Sequence, residues 1–189
     1  TENLASIGIL LDSPIQGFRF ETTSGIKGIT NEKGEYKYSK GDKVKFFLGS
    51  IELPEIDCTG VITPLELFKT TDVFDKRIIN FIRLIQSIDD DGDIDNSIKI
   101  PDEFINKIIE SNLVLSDLLK TNENFENLTK LKSFLKAIDR PNGLVTIEKA
   151  IEHLLDQIKN SDIIDTDHDG IKNKIDPDDD NDGVEDNSD

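Results

Sequence analysis

Tryptophan and methionine are absent from this chain, cysteine occurs once and histidine twice, and 22 Lys and Arg face 39 Asp and Glu. Each shortage excludes something. A single cysteine, Cys58, cannot build an internal disulfide framework; the roles open to it are a small buried hydrophobe or a reactive thiol. A net charge of −17 argues against nucleic acid, whose binders present basic faces. With only His153 and His168, no nucleophile, base and orienting acid assemble into a site. Zinc patterns, phosphate-cradling glycine loops and cofactor motifs are missing too, so a non-enzymatic role is expected. No apolar run is long enough to cross a membrane. The start at Thr1 shows no charged and apolar leader, and the sequence stops on a repeated ligand position. Together these give the expectation of a mature or truncated piece of a longer surface protein.

What the chain has is concentrated acidity. Residues 162–189 carry twelve acidic side chains against Lys172 and Lys174, a net of −10. Like-charge runs are usually solvated and unstructured, but here the acids are spaced. The pattern D-x-D-x-D-G-x-x-[ND]-x-x-D occurs twice in tandem. The first copy holds Asp165, Asp167, Asp169, Gly170, Asn173 and Asp176; the second holds Asp178, Asp180, Asp182, Gly183, Asp186 and Asp189. Calcium takes six to eight oxygens, and loop positions 1, 3, 5, 7, 9 and 12 supply them. Alternating Asp residues put short carboxylates on one side of the loop, and glycine at position 6 permits the sharp turn. Position 7, Ile171 or Val184, contributes its carbonyl, so an apolar side chain is acceptable there. The tail has too few large apolar groups (Ile171, Ile175, Val184) to offset backbone entropy of roughly 1 to 2 kcal/mol per residue. Bound metal therefore has to supply its folding free energy.

These loops differ from an EF-hand. Position 12 is Asp in both copies, not the bidentate Glu, and Pro177 stops any helix from leaving the first loop. Running head to tail through Asp-Pro-Asp-Asp-Asp-Asn-Asp-Gly, residues 165–189 resemble the thrombospondin type 3 repeat. The resemblance implies a cable of calcium ions wrapped by peptide, in secreted or cell-surface proteins. The paired cysteines of the animal repeats are missing here, which fits the bacterial form of the repeat, a spacer between a surface domain and its anchor. The implied location is extracellular or at the cell surface, outer-membrane or periplasm-facing, with Ca2+ as the bound ion. Partners would be another surface protein, a glycan or a second copy.

Ahead of the tail the chain changes character near residue 60. Residues 4 to 56 show turn signals every eight to twelve residues, as short antiparallel strands do. Strands are expected at Ile7–Leu11, Phe18–Thr22, Ile26–Thr30, Glu35–Tyr38, Val44–Leu48 and Ile51–Leu53, with a hairpin turn at Asn31–Gly34. Gly25 to Tyr38, preceded by Asp12 to Gly17, resembles carboxypeptidase-regulatory and related prealbumin-like sandwich modules. That resemblance implies a spacer or stalk and gives no activity.

From Val61 to Asn160 the apolar period becomes helical. Four helices are expected: Val73 to Ser87 with Phe74, Ile78, Ile79, Phe81, Ile82 and Ile85 inward; one opened by Pro101 as a first-turn residue, with Phe104, Ile105, Ile108 and Ile109 inward; Phe125 to Ile138; and one capped by Thr146 with Ile147, Ala150, Ile151, Leu154, Leu155 and Ile158 on one stripe. His153 is expected to be partly exposed. Between the first two helices Asp89, Asp91, Asp93 and Asp95 alternate, although Gly92 does not fall at the place a standard loop needs. A solvated connecting turn and an irregular calcium site are both open readings. The run from Arg77 to Pro101 also resembles a segment that follows such β-modules in bacterial surface lipoproteins.

The fold class expected is thus α+β: a small antiparallel β-sandwich-like module at 1–60, a helical bundle at 61–160 and calcium-binding repeats at 161–189. The functional expectation is a calcium-binding surface or adhesin module with a calcium-stiffened stalk. The alternatives are a recognition head for a peptide, glycan or partner protein, tethered by the repeats, and an accessory domain of a surface hydrolase.

Overall fold

The computed structural model describes residues 5–161 and Ile164. All twelve expected ligands of the tandem loops, Asp165 to Asp189, and His168 with them, lie outside the described residues. Within them the chain is mixed α+β, strands first and helices after.

The strands obey the period of two that a half-buried sheet requires. In β6 (Lys43–Leu48), Val44, Phe46 and Leu48 turn inward and the lysines outward. β6 pairs with β3 (Arg19–Thr22), which pairs with β4 (Lys27–Ile29); β7 (Ile51–Glu52) and β8 (Ile56–Asp57) also add to β6. A second sheet has β1 (Ser6–Leu10) at its centre, between β5 (Glu35–Tyr38) and β9 (Val61–Ile62). The inner faces of the two sheets meet through aromatics. Tyr36 of β5 lies edge-on to Phe46, with ring centroids 5.3 Å apart, and to Phe20 at 6.0 Å.

Three sequence expectations change here. The turn at Asn31–Gly34 forms as read, with Asn31 Oδ1 accepting from the amides of Lys33 and Glu35 and Gly34 at φ +70. It is not a hairpin, because β4 pairs with β3 and β5 with β1, so the turn crosses from one sheet to the other. A side chain at Gly34 would put its Cβ 2.5 Å from the Leu10 carbonyl oxygen, which explains the glycine. Secondly, not every pair is antiparallel. β9 adds parallel to β1, and β10 (Ile98–Lys99) adds parallel to β2 (Ile15–Gln16). Both partners arrive by long crossovers instead of hairpins, which is the condition for parallel pairing. Thirdly, β1 lies between β5 and β9, and β9 pairs with Ile9 and Leu10, so of the expected edge at Ile7 to Leu11 only the Ile7 and Gly8 end lacks a strand on that side among the described residues.

Helices cover this layer. α1 (Pro64–Phe68) starts at Thr63, whose hydroxyl accepts the Leu65 amide while Glu66 reaches back to the Thr63 amide. α2 (Lys76–Ser87) is buried on most of its surface, which is unusual for a helix and demands that its polar residues find partners. They do: Asn80 Nδ2 donates to the carbonyls of Leu118 and Lys120 at 3.0 Å. Arg83 donates to the Val145 carbonyl at 2.7 Å and pairs with Glu126 at 3.0 Å. The helix expected over Phe125 to Ile138 is broken at Asn127 and Leu128 into α5 (Asn122–Glu126) and α6 (Thr129–Ala137). α3 (Asp102–Ser111) has Pro101 as its N-cap residue and not inside its first turn; α4 (Leu115–Leu118) is one turn. α7 (Ile147–Lys159) is capped by Thr146, which accepts the Lys149 amide.

One contiguous core runs from Leu10 and Phe46 through Phe81 to Leu154. Three side chains expected to face inward instead stay exposed: Phe74 at 68%, Ile109 at 53% and Leu155 at 44%. Phe74 also precedes α2, which starts at Lys76 and not at Val73 as expected.

Candidate cation sites and a buried polar cluster

The acidic stretch between α2 and β10 is built into the fold. Ile88 ends α2, and the Asp90 amide and Lys99 carbonyl close the loop at 2.9 Å. Gly92 takes φ +76 within it. Arg140 donates to the carbonyls of Asp89 and Asp90, and Lys99 Nζ pairs with Asp90 at 2.8 Å. In the far half of the loop, the Ile94 carbonyl accepts from Ser13 Oγ at 2.5 Å.

Of the four alternating aspartates, the fold brings two together. Asp89 is buried, its Oδ1 accepting the Lys99 amide at 2.8 Å, and the Asp91 carboxyl lies within hydrogen-bond reach of it. Burial, opposed by the Lys99 amide, raises the Asp89 pKa; the Asp93 amide lowers that of Asp91. Asp93 is exposed, and Asp95 is diverted, its Oδ1 3.5 Å from His153 Nδ1. Among the described residues no three His, Cys, Asp or Glu side chains converge as a ready metal nest. The four carboxylates therefore do not share one centre.

His153 belongs to a cluster that sequence reasoning missed. It is 8% exposed, not the partly exposed residue expected, because α7 lies against the turn between β1 and β2. Its Nε2 is 3.1 Å from Ser13 Oγ and 3.8 Å from Asp12 Oδ1. Asp12 is fully buried, and Gln86 Nε2 donates to its Oδ2 at 2.9 Å and to the Ala150 carbonyl at 3.2 Å. Burial pushes the Asp12 carboxyl up to about 7 against the Gln86 hydrogen bond. Burial lowers the His153 pKa, and the nearby Asp95 opposes it. Asp12 Oδ1 and Gln86 Oε1 are the two acceptors of the cluster without a donor among the described residues. A proton on Asp12 Oδ1 turns the first of these orphans into a donor.

Ser13, His153 and Asp95 carry the residue types of a nucleophilic triad, but the proton accounting runs the wrong way. Ser13 gives its one hydroxyl proton to Ile94, so the contact with His153 needs Nε2–H as donor, and the imidazole cannot then act as base on the serine. Ser13 is also fully buried, whereas Asp95 is 86% exposed. These groups pin the acidic loop to the first turn and to α7. The available signals were weak: Asp12 and Ser13 stood only within a segment that resembles a sandwich module, and His153 flanks the apolar stripe of α7.

Two further sites are structural. Asp42 accepts from Thr23 Oγ1, the Ser24 amide and hydroxyl, and the Ser39 amide. The Ser24 hydroxyl is the largest cause of its pKa falling to about 2. Cys58 is half-buried and free; burial, and then the charges of Asp42 and Asp57, push its thiol up to about 12. That favours the packing role over the reactive one.

On the outside, α7 and Phe74 frame an open groove of about 560 Å3. Phe74, Ile147, Ile151 and Leu155 line its floor, and Glu148, Glu152, Asp156 and Lys159 its rim. No family model, curated protein or solved structure matches this chain.

Proposed function

We propose that this chain is a calcium-binding structural module of the cell surface, of the adhesin class, in which the α+β body is carried by a calcium-stiffened stalk. The observation that carries this reading is the tandem repeat of twelve-residue acidic loops at Asp165–Asp176 and Asp178–Asp189, matched at every ligand position. The body supports it by ending next to those loops. α7 stops at Lys159, and the Ile164 amide, one residue before the first ligand, donates to Ser161 Oγ at 3.0 Å. Affinities of extracellular calcium modules lie near 10⁻⁴ to 10⁻³ M, so such loops suit a medium rich in calcium. The buried Ser13 and the direction of its proton favour a non-catalytic body.

Amide hydrogen exchange on the full chain tests this. Calcium should slow exchange across residues 165–189, and Asp169→Ala should abolish the slowing in the first loop while α2 keeps its protection. Exchange rates in the tail that ignore calcium would refute the reading.

The α7 groove favours a second reading, a recognition head tethered by the same repeats, because Phe74 and Leu155 are exposed beside one another on it. Adhesion of beads coated with the chain separates the two. Loss on Phe74→Ser with Leu155→Ser supports recognition through the groove, and adhesion indifferent to both supports the structural role alone.

A further inference from the structure

The buried end of the acidic loop holds a carboxylate oxygen that the protein leaves unanswered. Asp89 is 2% exposed, and while its Oδ1 takes the Lys99 amide, its Oδ2 has no donor among the described residues. Beside the Asp89 carboxyl lie the carboxyl of Asp91 and the amide of Gly92, which makes no regular hydrogen bond to Oδ2. An acceptor out of water with a like-charged group beside it is costly, and an ion is one of the few things that explains such a group in a folded protein. The nearest cationic side chains are engaged elsewhere: Lys99 Nζ is on Asp90, and Arg140 Nη2 is on the Asp89 and Asp90 carbonyls.

We propose that Asp89 Oδ2 and the Asp91 carboxylate together hold a hard divalent cation, calcium in this protein's medium, as a third site separate from the tail. Two carboxylates suffice for such an ion when carbonyls and water complete its oxygen shell. Asp93 and Asp95 are not needed, and Asp95 stays with His153. Cation binding removes the repulsion between the two acids, leaves the Lys99 amide on Asp89 Oδ1, and fastens the loop whose far half is held by Ser13. The inference rests on the calcium reading only for the supply of calcium.

The test is a calorimetric calcium titration of the full chain with both tail loops disabled by Asp167→Asn, Asp169→Asn, Asp180→Asn and Asp182→Asn. One calcium per chain should still bind, and adding Asp91→Asn should remove it. Asp91 is exposed, so that substitution leaves the core intact. Asp89→Asn keeps an acceptor for the Lys99 amide and should act alike. Calcium should also raise the melting temperature of the tail-disabled chain, and this rise should vanish with Asp91→Asn. Repeating the titration with magnesium chloride shows which ion the pair prefers. A tail-disabled chain that binds no calcium, or whose binding survives Asp91→Asn, overturns the proposal. A tail-disabled chain that binds as many ions as the parent overturns the tail assignment instead, and Asp91→Asn still decides this site.

Discussion

The Phe18 ring, on the turn between β2 and β3, meets the Phe81 ring of α2 edge to face, with centroids 6.1 Å apart and planes at 87°. Phe81 makes a second edge contact, 5.7 Å, with Phe68 of α1. One fully buried side chain thus ties the strand layer to two helices. Phe81→Ala removes that wedge and should cost about 3 to 5 kcal/mol. Chemical denaturation should show one transition, shifted as a whole for strand and helix signals together. Two separate transitions would mean that the layers are not cooperative.

Asp12 makes stability depend on pH in an unusual direction. Its folded pKa, about 7, stands above the ordinary carboxyl value of 3.8, so the folded state holds a proton that the unfolded chain gives up. The contribution is fully present below pH 3.8 and is lost as pH rises towards 7. Asp12→Asn keeps an acceptor for Gln86 and cannot ionise. Relative to the parent, this variant should gain stability steadily between pH 4 and 7 and level off above. Melting temperatures across that range check it, and a constant difference between the two proteins would contradict it. His153, whose pKa is lowered, acts in the opposite sense, its contribution being lost as pH falls below about 6.5.

Asp42 has the ordinary sign. Its pKa is lowered to about 2 by the Ser24 hydroxyl and the other donors around it. Its contribution is present above pH 3.8 and lost as pH falls towards 2. Asp42→Ala should lower the melting temperature at pH 7 and have little further effect at pH 2. Equal losses at both pH values would show that its hydrogen bonds, not its charge, matter.

Cys58 should be slow to react. With its thiol at about 12, alkylation by iodoacetamide at pH 8 should run at least tenfold slower than for an unperturbed cysteine of pKa about 8.5. Modification at the ordinary rate would mean that the residue is more open than its half-buried place between Tyr36 and Asp42 suggests.

Much of this arrangement was legible locally. Alternation over Val44, Phe46 and Leu48 marked β6, and Glu35–Tyr38 is β5 to the residue. The stripe Ala150, Ile151, Leu154 with the Thr146 cap marked α7. Strands of two residues, such as β9 and β10, carry no period, and their parallel partners lie far away along the chain. Periodicity carried the first helix back to Val73, whereas α2 starts at Lys76, which is why Phe74 was placed inside. The cluster of Asp12, Ser13, Gln86 and His153 joins residues 74 and 140 positions apart, beyond any local motif. In the acidic loop the alternation of Asp89 to Asp95 was visible, but not that burial takes Asp89 alone, with the exposed Asp91 beside it, while His153 draws Asp95 away. For Asp165 to Asp189 the reading rests on ligand spacing.

The most direct measurement of the central claim is the calcium stoichiometry of the intact chain by isothermal titration calorimetry, compared with a variant carrying Asp167→Asn and Asp180→Asn. The account predicts uptake of at least one ion per tail loop at roughly 10⁻⁴ to 10⁻³ M calcium, and loss of those ions in the variant. An intact chain that takes up no calcium at millimolar concentration, or a variant that binds as much as the parent, would contradict it.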